Sequence, residues 1–129
     1  MADSIFTKII KGEIPCHKIY EDDRVIAFLD IHPIKPGHTL VIPKKQVEQF
    51  TELDPEDYSY LMASSQLIAQ QLQKILGAKR ILVRIEGLDV EHTHVHLIPT
   101  EDEKGIYEQD LNAEPDHTAL AKMAEKLTF

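Results

Sequence analysis

Cysteine is nearly absent from this chain, whose 129 residues include only Cys16. A lone cysteine cannot form an intrachain disulfide. The first twenty residues also lack the uninterrupted apolar stretch that is typical of a signal peptide. We therefore expect the protein to work in a reducing cytoplasm.

Long apolar runs and positive charge are scarce as well. No apolar run approaches the ~20 residues that a transmembrane helix requires, so we expect no membrane partner. The 14 lysines and arginines are outnumbered by 22 acidic residues, which gives a net charge of -8. This charge opposes binding to a nucleic acid polymer or to an anionic bilayer. It is compatible with a small phosphorylated ligand, because a few local groups can outweigh the average charge.

The length fits one ordinary domain over residues 1–129, large enough to bury a core without disulfides or a structural metal. Ser4 before IFTKIIK and Gly12 after it are typical of a short capped helix. Four segments predict strands: KIYE, RVIAFLD, TLVIP and RILVRIE. Asp54 and Pro55 predict the start of a long helix that stops at Gly77. HTALAKMAEKL predicts a short C-terminal helix.

The stretch EHTHVHLIP, residues 91–99, places His92, His94 and His96 at alternate positions. Successive side chains of a strand point to opposite faces. We therefore expect the three imidazoles on one face and the intervening residues on the other. The histidine face is the candidate for chemistry, and the opposite face belongs to the core.

One interpretation of these histidines is a metal site, since histidine is the commonest protein metal ligand. Four residues of strand put the outer two backbones ~13 Å apart, whereas two nitrogens on one zinc ion lie at most about 4.2 Å apart. Two neighbours could share an ion, but all three could not easily do so. His94 and His96, followed by Glu101 and Gly105, also imitate the spacing of cupin metal sites. A cupin-like metal enzyme is almost wholly β, however, and the helix predicted from Pro55 is about six turns long.

Another hypothesis makes the middle imidazole, that of His94, a nucleophile. Neutral imidazole attacks phosphorus, and a covalent intermediate divides one difficult displacement into two easier steps. The flanking imidazoles of His92 and His96, if charged, disfavour protonation of His94 and keep its nitrogen free. They can also donate to phosphoryl oxygens in the transition state. This hypothesis accounts both for the number of histidines and for their alternation.

The motif HTHVHLI matches the signature of the histidine triad (HIT) family, His-φ-His-φ-His-φ-φ with φ apolar, apart from Thr93. The segments IFTKIIKGEIP and YEDDRVIAFLDIHPIKPGHTLVIPKK precede it in the order typical of the Hint-like branch. The chain resembles this branch over roughly residues 3–99. The resemblance implies an α+β HIT-like fold with a curved antiparallel sheet of about five strands, one long helix and short N- and C-terminal helices. It also implies a homodimer.

The resemblance assigns roles to individual residues. It implies a nucleotide-binding hydrolase or transferase without a cofactor, which cleaves at the α-phosphorus of purine nucleoside phosphoramidates or dinucleoside polyphosphates. His94 would be the transiently nucleotidylated nucleophile, with His92, His96 and His38 around it. Asp30 would accept hydrogen bonds from the ribose hydroxyls. The apolar pocket for the base would consist of Ile5, Phe6, Ile9, Phe28 and Ile31.

The chain departs from the family pattern at a metal site. Many bacterial members hold a structural zinc ion with two cysteines and two histidines, and the corresponding residues here are Ser4, Thr7, Gln46 and His92. Serine, threonine and glutamine are poor zinc ligands. We therefore expect no structural zinc.

A second departure lies just before the triad. Hint-like members usually show Gly-Gln and a small polar residue there, whereas this chain has Gly87, Leu88 and Asp89. Leu88 cannot donate to a phosphate. Asp89, if it points inward, would repel a phosphate or select a cationic leaving group such as an amine. An alternative to the hydrolase is therefore a nucleotide-binding regulatory module with little turnover, which would show affinity but no product; the cupin-like enzyme would instead lose activity with a chelator.

Overall fold

The computed structural model describes residues 2–129. Its elements in chain order are α1 (Ile5–Ile10), β1 (Lys18–Glu21), β2 (Val25–Leu29), β3 (Thr39–Pro43), a 3-10 turn (Phe50–Glu52), α2 (Pro55–Leu76), β4 (Arg80–Arg84), β5 (Val95–Thr100) and α3 (His117–Leu127). The strands form one five-stranded antiparallel sheet in the order β1-β2-β3-β5-β4. The predicted α+β fold, with one long helix and short terminal helices, is confirmed.

Capping residues set the ends of the first two helices. The Ser4 side chain accepts from the backbone N–H of Thr7, and Gly12 follows α1 with a φ of +79°. Asp54 caps α2 in the same way, and Gly77 ends it in the left-handed conformation. Side-chain oxygens satisfy free N–H groups at a helix start, and glycine adopts a positive φ without strain.

Among residues 2–129, no helix combines the length and the apolar character that a membrane span needs.

The sheet separates two apolar cores. One face packs against α2 and α3, and the other packs against α1. The larger core contains Ile19, Val25, Ala27, Leu29, Val41, Val95 and Leu97 of the sheet with Leu61, Ile68, Leu72, Leu120, Ala124 and Leu127 of the helices. The smaller core contains Phe6, Ile26, Phe28, Leu40 and Ile42. Alternate residues of β2 enter different cores because a strand has a side-chain period of two.

The histidine strand starts later than the sequence predicts. β5 begins at Val95, so His92 and His94 lie in the extension before it. This extension is held by a loop, since both the backbone N–H and the hydroxyl of Thr93 donate to the carbonyl of Val47. The prediction of a continuous strand was therefore wrong at its N-terminal end, because β5 pairs with β3 only from Val95 onward.

The three imidazoles nevertheless lie together on the α1 side of the sheet. The ring of Phe6 in α1 is 5.9 Å from the ring of His92 and 4.9 Å from the ring of His94. The rings of His94 and His96 are 4.9 Å apart. The predicted alternation of faces is therefore kept, and α1 covers the histidine face.

The loop that leads into His38 depends on Gly37. Its φ is +90°, and a Cβ added there would lie 2.6 Å from Cδ1 of Leu76 and 3.3 Å from Cγ of Pro99. Gly12 has a similar φ of +79° but nothing within 4 Å of such a Cβ. We predict that Gly37→Ala lowers the free energy of unfolding by about 2–3 kcal/mol, because the end of the Leu76 side chain must move and Pro99 crowds the new methyl group in addition to the backbone strain. Gly12→Ala should cost about 1–2 kcal/mol, from backbone strain alone. Urea denaturation of both variants measures this difference, and equal losses would contradict it.

Candidate active site

His94 presents one free ring nitrogen. Its Nδ1 lies 2.7 Å from the carbonyl oxygen of His92, and a carbonyl can only accept, so Nδ1 carries the proton. In the neutral ring, Nε2 then holds an unprotonated lone pair. This nitrogen is buried and has no hydrogen-bond partner among the described residues. The local backbone thus fixes the tautomer that leaves Nε2 nucleophilic.

His96 has the opposite arrangement. The backbone N–H of Ile34 donates to Nδ1 of His38 over 3.0 Å, so the proton of neutral His38 is on Nε2. That N–H donates to Nδ1 of His96 over 2.9 Å, which leaves the proton of His96 on Nε2. Nε2 of His96 is the other buried nitrogen without a partner among residues 2–129. A free acceptor on His94 therefore stands beside a free donor on His96.

His92 is bound on both sides and connects α1 to the sheet. Its Nε2 donates to the carbonyl of Pro43 over 2.9 Å, and its Nδ1 accepts from the hydroxyl of Ser4 over 2.7 Å. The hydroxyl of Thr7 donates to Oε1 of Gln46 over 2.6 Å, and the backbone N–H of Ser4 donates to the same oxygen over 2.8 Å. We call Ser4, Thr7, Gln46 and His92 the polar clamp. The clamp holds the start of α1 against the histidine face.

Burial keeps the outer imidazoles neutral. It lowers the pKa of His38 to about 3, with His96 and Arg84 acting in the same direction. It lowers the pKa of His96 to about 4, assisted by His94. Burial also lowers the pKa of His92, although its hydrogen bond to a carbonyl opposes this. Near pH 7 the flanking rings are therefore neutral donors, and not the charged neighbours considered from the sequence.

Asp30 lies buried directly after β2, close to this group. Its Oδ1 accepts from the backbone N–H of His32 over 2.8 Å, and its Oδ2 accepts from Nε2 of Gln109 over 3.1 Å. Oδ2 is also 3.6 Å from Nε2 of His38. Burial raises the pKa of the Asp30 carboxyl, while its two hydrogen bonds lower it. A carboxylate has about four lone-pair positions, so Asp30 can accept further hydrogen bonds.

An apolar pocket opens beside Asp30. Its lining includes every apolar residue that the resemblance assigned to the base: Ile5, Phe6, Ile9, Phe28 and Ile31. The rings of Phe6 and Phe28 meet edge to face at 5.8 Å. Gln109 and Leu111 line the pocket as well, and no sequence pattern had indicated either residue.

Residues 11–103 match the HIT domain. The chain belongs to the HIT domain family. A HIT-like protein of Methanocaldococcus jannaschii is 41% identical over 99 residues, which cover 74% of this chain and 77% of that protein. Adenylylsulfatase HINT3 of Arabidopsis thaliana is 35% identical over 102 residues, which cover 75% of this chain and 52% of that protein.

The fold comparison agrees with this assignment. The crystal structure of a Hit-like protein from Bartonella henselae has a TM-score of 0.85 and 38% sequence identity, and the match covers 97% of this chain and 93% of that one. The predicted HIT-like fold is therefore confirmed. Membership in the HIT family supports a nucleotide-binding hydrolase or transferase. The HIT domain match ends at residue 103, so the part of the pocket lined by Gln109 and Leu111 lies outside it.

The cupin-like hypothesis is wrong for this HIT protein. Glu101, the proposed third ligand, is exposed and accepts from the backbone N–H of Lys79 over 3.2 Å. Among the residues described, the group of potential ligands close enough to share an ion is Asp30, His38 and His96, whose ligand atoms lie within 4.8 Å of one another. The hydrogen bonds of His38 on both ring nitrogens already account for this cluster without an ion.

The two residues before the triad point in different directions. Leu88 is 90% exposed and has no place in the site. Oδ1 of Asp89 lies 3.5 Å from Nε2 of His94, and Asp89 also lines the apolar pocket. The carboxylate of Asp89 therefore points inward, toward the nitrogen with the free lone pair.

The polar clamp does not fit the zinc ion that many bacterial HIT members hold at these positions. It offers two hydroxyls, one amide oxygen and one imidazole, and these groups already bond to one another. We predict that zinc in the purified protein is far below one ion per chain, because structural zinc needs thiolate, imidazole or carboxylate ligands. Elemental analysis measures this, with a triple variant carrying Ser4→Cys, Thr7→Cys and Gln46→His as the zinc-binding control. About one tightly held ion in the parent chain would contradict the prediction.

The neutral state of His38 and His96 makes stability depend on pH. Unfolded histidines take up protons as pH falls below about 6.5, whereas the folded rings do so only near about 3 and about 4. The stability from the neutral rings is thus complete above pH 6.5 and is lost as pH falls toward these values. We predict a fall in the free energy of unfolding of about 1.4 kcal/mol per pH unit for each ring. Urea denaturation between pH 7.5 and pH 5 tests this, and a His38→Gln variant with an equally steep dependence would contradict it.

Proposed function

We propose that this HIT protein is a nucleotidyl hydrolase or transferase of the Hint-like branch, and that it works in the cytoplasm as a homodimer. Its substrates would be purine nucleoside phosphoramidates or dinucleoside polyphosphates. Cleavage occurs at the α-phosphorus, through a covalent nucleotidyl intermediate on His94. The observation that carries this proposal is a pair of buried ring nitrogens without a hydrogen-bond partner in the described part of the chain, residues 2–129. One is a lone pair on His94 and the other is an N–H on His96.

The first step forms a bond between Nε2 of His94 and the α-phosphorus. The bond from phosphorus to the leaving nitrogen or oxygen breaks, and its electron pair departs with the leaving group, which takes a proton from solvent. Nε2–H of His96 donates to a phosphoryl oxygen as negative charge increases there. The positive charge that arises on the His94 ring is stabilised by the carbonyl of His92, which accepts from Nδ1 at 2.7 Å.

The second step removes the nucleotide from His94. A water oxygen, or the hydroxyl or amine of an acceptor, attacks phosphorus and loses its proton to solvent. The bond between phosphorus and Nε2 breaks, and the electron pair returns to the ring. Because Nδ1 keeps its proton and its carbonyl partner throughout, His94 returns to the tautomer in which it began.

The nucleoside part of the substrate is bound by Asp30 and by the apolar pocket. The Asp30 carboxylate accepts from the ribose hydroxyls, and a sugar without them leaves a buried acceptor unpaired, which is costly. The walls around Phe6 and Phe28 contact the flat faces of a base and do not read its edge. We therefore expect discrimination between sugars and a loose preference among purines.

Asp89 favours a cationic leaving group. Its carboxylate lies 3.5 Å from Nε2 of His94, so its negative charge acts on any phosphate that this nitrogen attacks and on the group attached to it. A protonated amine is attracted to this charge, whereas a second phosphate is repelled. Among the two substrate classes, phosphoramidates are therefore the better match.

The same carboxylate favours a second candidate function, a nucleotide-binding regulatory module. A negative charge beside the nucleophile of His94 opposes the approach of a phosphate, so binding could occur without turnover. The two functions differ in one observable property. A module binds AMP and releases no product, whereas the hydrolase releases AMP from adenosine phosphoramidate.

We predict that the parent chain releases AMP from adenosine phosphoramidate in the presence of EDTA, with a transient adenylyl adduct visible by intact mass. His94→Ala should lower the rate at least about 1,000-fold, because it removes the nucleophile. His117→Ala, which changes a histidine outside the site, is the matched control and should keep the parent rate. If His94→Ala retains the parent rate, or EDTA abolishes release, the covalent mechanism is wrong.

A further inference from the structure

The chain after β5 returns to the candidate active site. We call residues 105–111 the tail segment. Nη2 of Arg84 donates to the carbonyl of Ile106 over 2.7 Å, and the Arg84 guanidinium lies 5.4 Å from the centre of the Tyr107 ring. Arg84 is the register partner of His96 in the sheet. The tail segment is therefore anchored by the strand that neighbours β5.

Gln109 is the point at which the tail segment contacts the nucleoside pocket. Its Nε2 donates to Oδ2 of Asp30 over 3.1 Å and to the carbonyl of His32 over 2.9 Å. Both amide hydrogens are thus used on the short turn that carries Asp30. Among residues 2–129, Gln109 is the one side chain that donates to the Asp30 carboxylate within hydrogen-bond distance. Nε2 of His38 is farther away, at 3.6 Å from Oδ2 of Asp30.

These contacts determine how Asp30 can meet a sugar. The backbone N–H of His32 holds Oδ1, and the amide of Gln109 holds Oδ2. A carboxylate fixed at both oxygens keeps one orientation, and its remaining lone pairs then point in defined directions. Donors also favour the charged form of a buried acid, whose hydrogen bonds are stronger than those of a neutral one.

We propose that Gln109 is a positioning residue that fixes the Asp30 carboxylate for the two ribose hydroxyls, so that the tail segment sets the discrimination between ribose and dideoxyribose substrates. This inference rests on the proposed function, in which Asp30 accepts from the ribose. Gln109 lies beyond residue 103, where the HIT domain match ends. The proposed sugar preference therefore depends on a residue that follows the part of the chain matching the HIT domain.

The test compares adenosine phosphoramidate with its 2′,3′-dideoxy analogue. Four proteins are measured: the parent, Gln109→Met, Glu108→Ala and Asp30→Asn. Gln109→Met keeps the length of the side chain and removes both donors, and Glu108→Ala changes an exposed neighbour in the same segment. We expect Gln109→Met to raise KM for the ribose substrate about tenfold with kcat within about twofold. Without the Gln109 donor the Asp30 carboxylate is no longer held in one orientation, and it then loses about as much as one hydrogen bond to a charged group in its pairing with the ribose. For the dideoxy analogue the KM of Gln109→Met should stay at the parent value.

The deciding quantity is the ratio of kcat/KM for the two substrates, which does not depend on the fraction of folded protein. If Gln109→Met keeps the parent ratio while Asp30→Asn loses it, the inference fails and the proposed function stands. If Asp30→Asn also keeps the ratio, the ribose assignment of the proposed function fails with it. Equal losses on both substrates in Gln109→Met, or a lost ratio in Glu108→Ala, would overturn a specific role for Gln109. If the parent has no turnover, Kd values for AMP and dideoxy-AMP give the same ratio.

Discussion

The hydrogen bond from Nδ1 of His94 to the carbonyl of His92 is the interaction on which the site depends. It puts a proton on Nδ1 of His94, the inner side of the ring, and leaves Nε2 on the outer side as the acceptor. Burial sets the state of the three neighbouring rings. It lowers the pKa of His38, His92 and His96 and so keeps these rings neutral. A neutral imidazole is a donor on one nitrogen and an acceptor on the other. The result is a pair of ring nitrogens, an acceptor on His94 and a donor on His96, that have no hydrogen-bond partner within residues 2–129 and belong to neighbouring rings.

Local sequence patterns predicted most of the helices and strands. Helix caps, left-handed glycines and the alternation of strand side chains act over a few residues, so the elements and the sidedness of the histidines could be predicted from the sequence. The start of β5 at Val95 could not, because pairing with a distant strand sets it. The proton on His96 depends on His38 and on a loop N–H far away in the chain. Gln109 meets Asp30 across 79 residues, and no local pattern signals such a contact.

Two parts of this chain support the residues around the triad. The polar clamp uses neutral hydrogen bonds to hold α1 against the sheet, in the place where a metal ion would do so in many bacterial members. The tail segment adds an amide donor to the acid that the ribose is proposed to contact. The polar clamp supports His92 on one side of the triad, and the tail segment supports the proposed sugar contact on the other.

The arrangement of protons on the four buried rings is the central claim, and nitrogen NMR of the histidine-labelled protein near pH 7 tests it directly. An imidazole nitrogen that carries a proton has a different chemical shift from one that holds a lone pair, so the two nitrogen signals of each ring identify its tautomer. This arrangement predicts a protonated Nδ1 for His94 alone among the four rings, and a protonated Nε2 for His38, His92 and His96. A His94 ring with its proton on Nε2, or a doubly protonated His96, would contradict it.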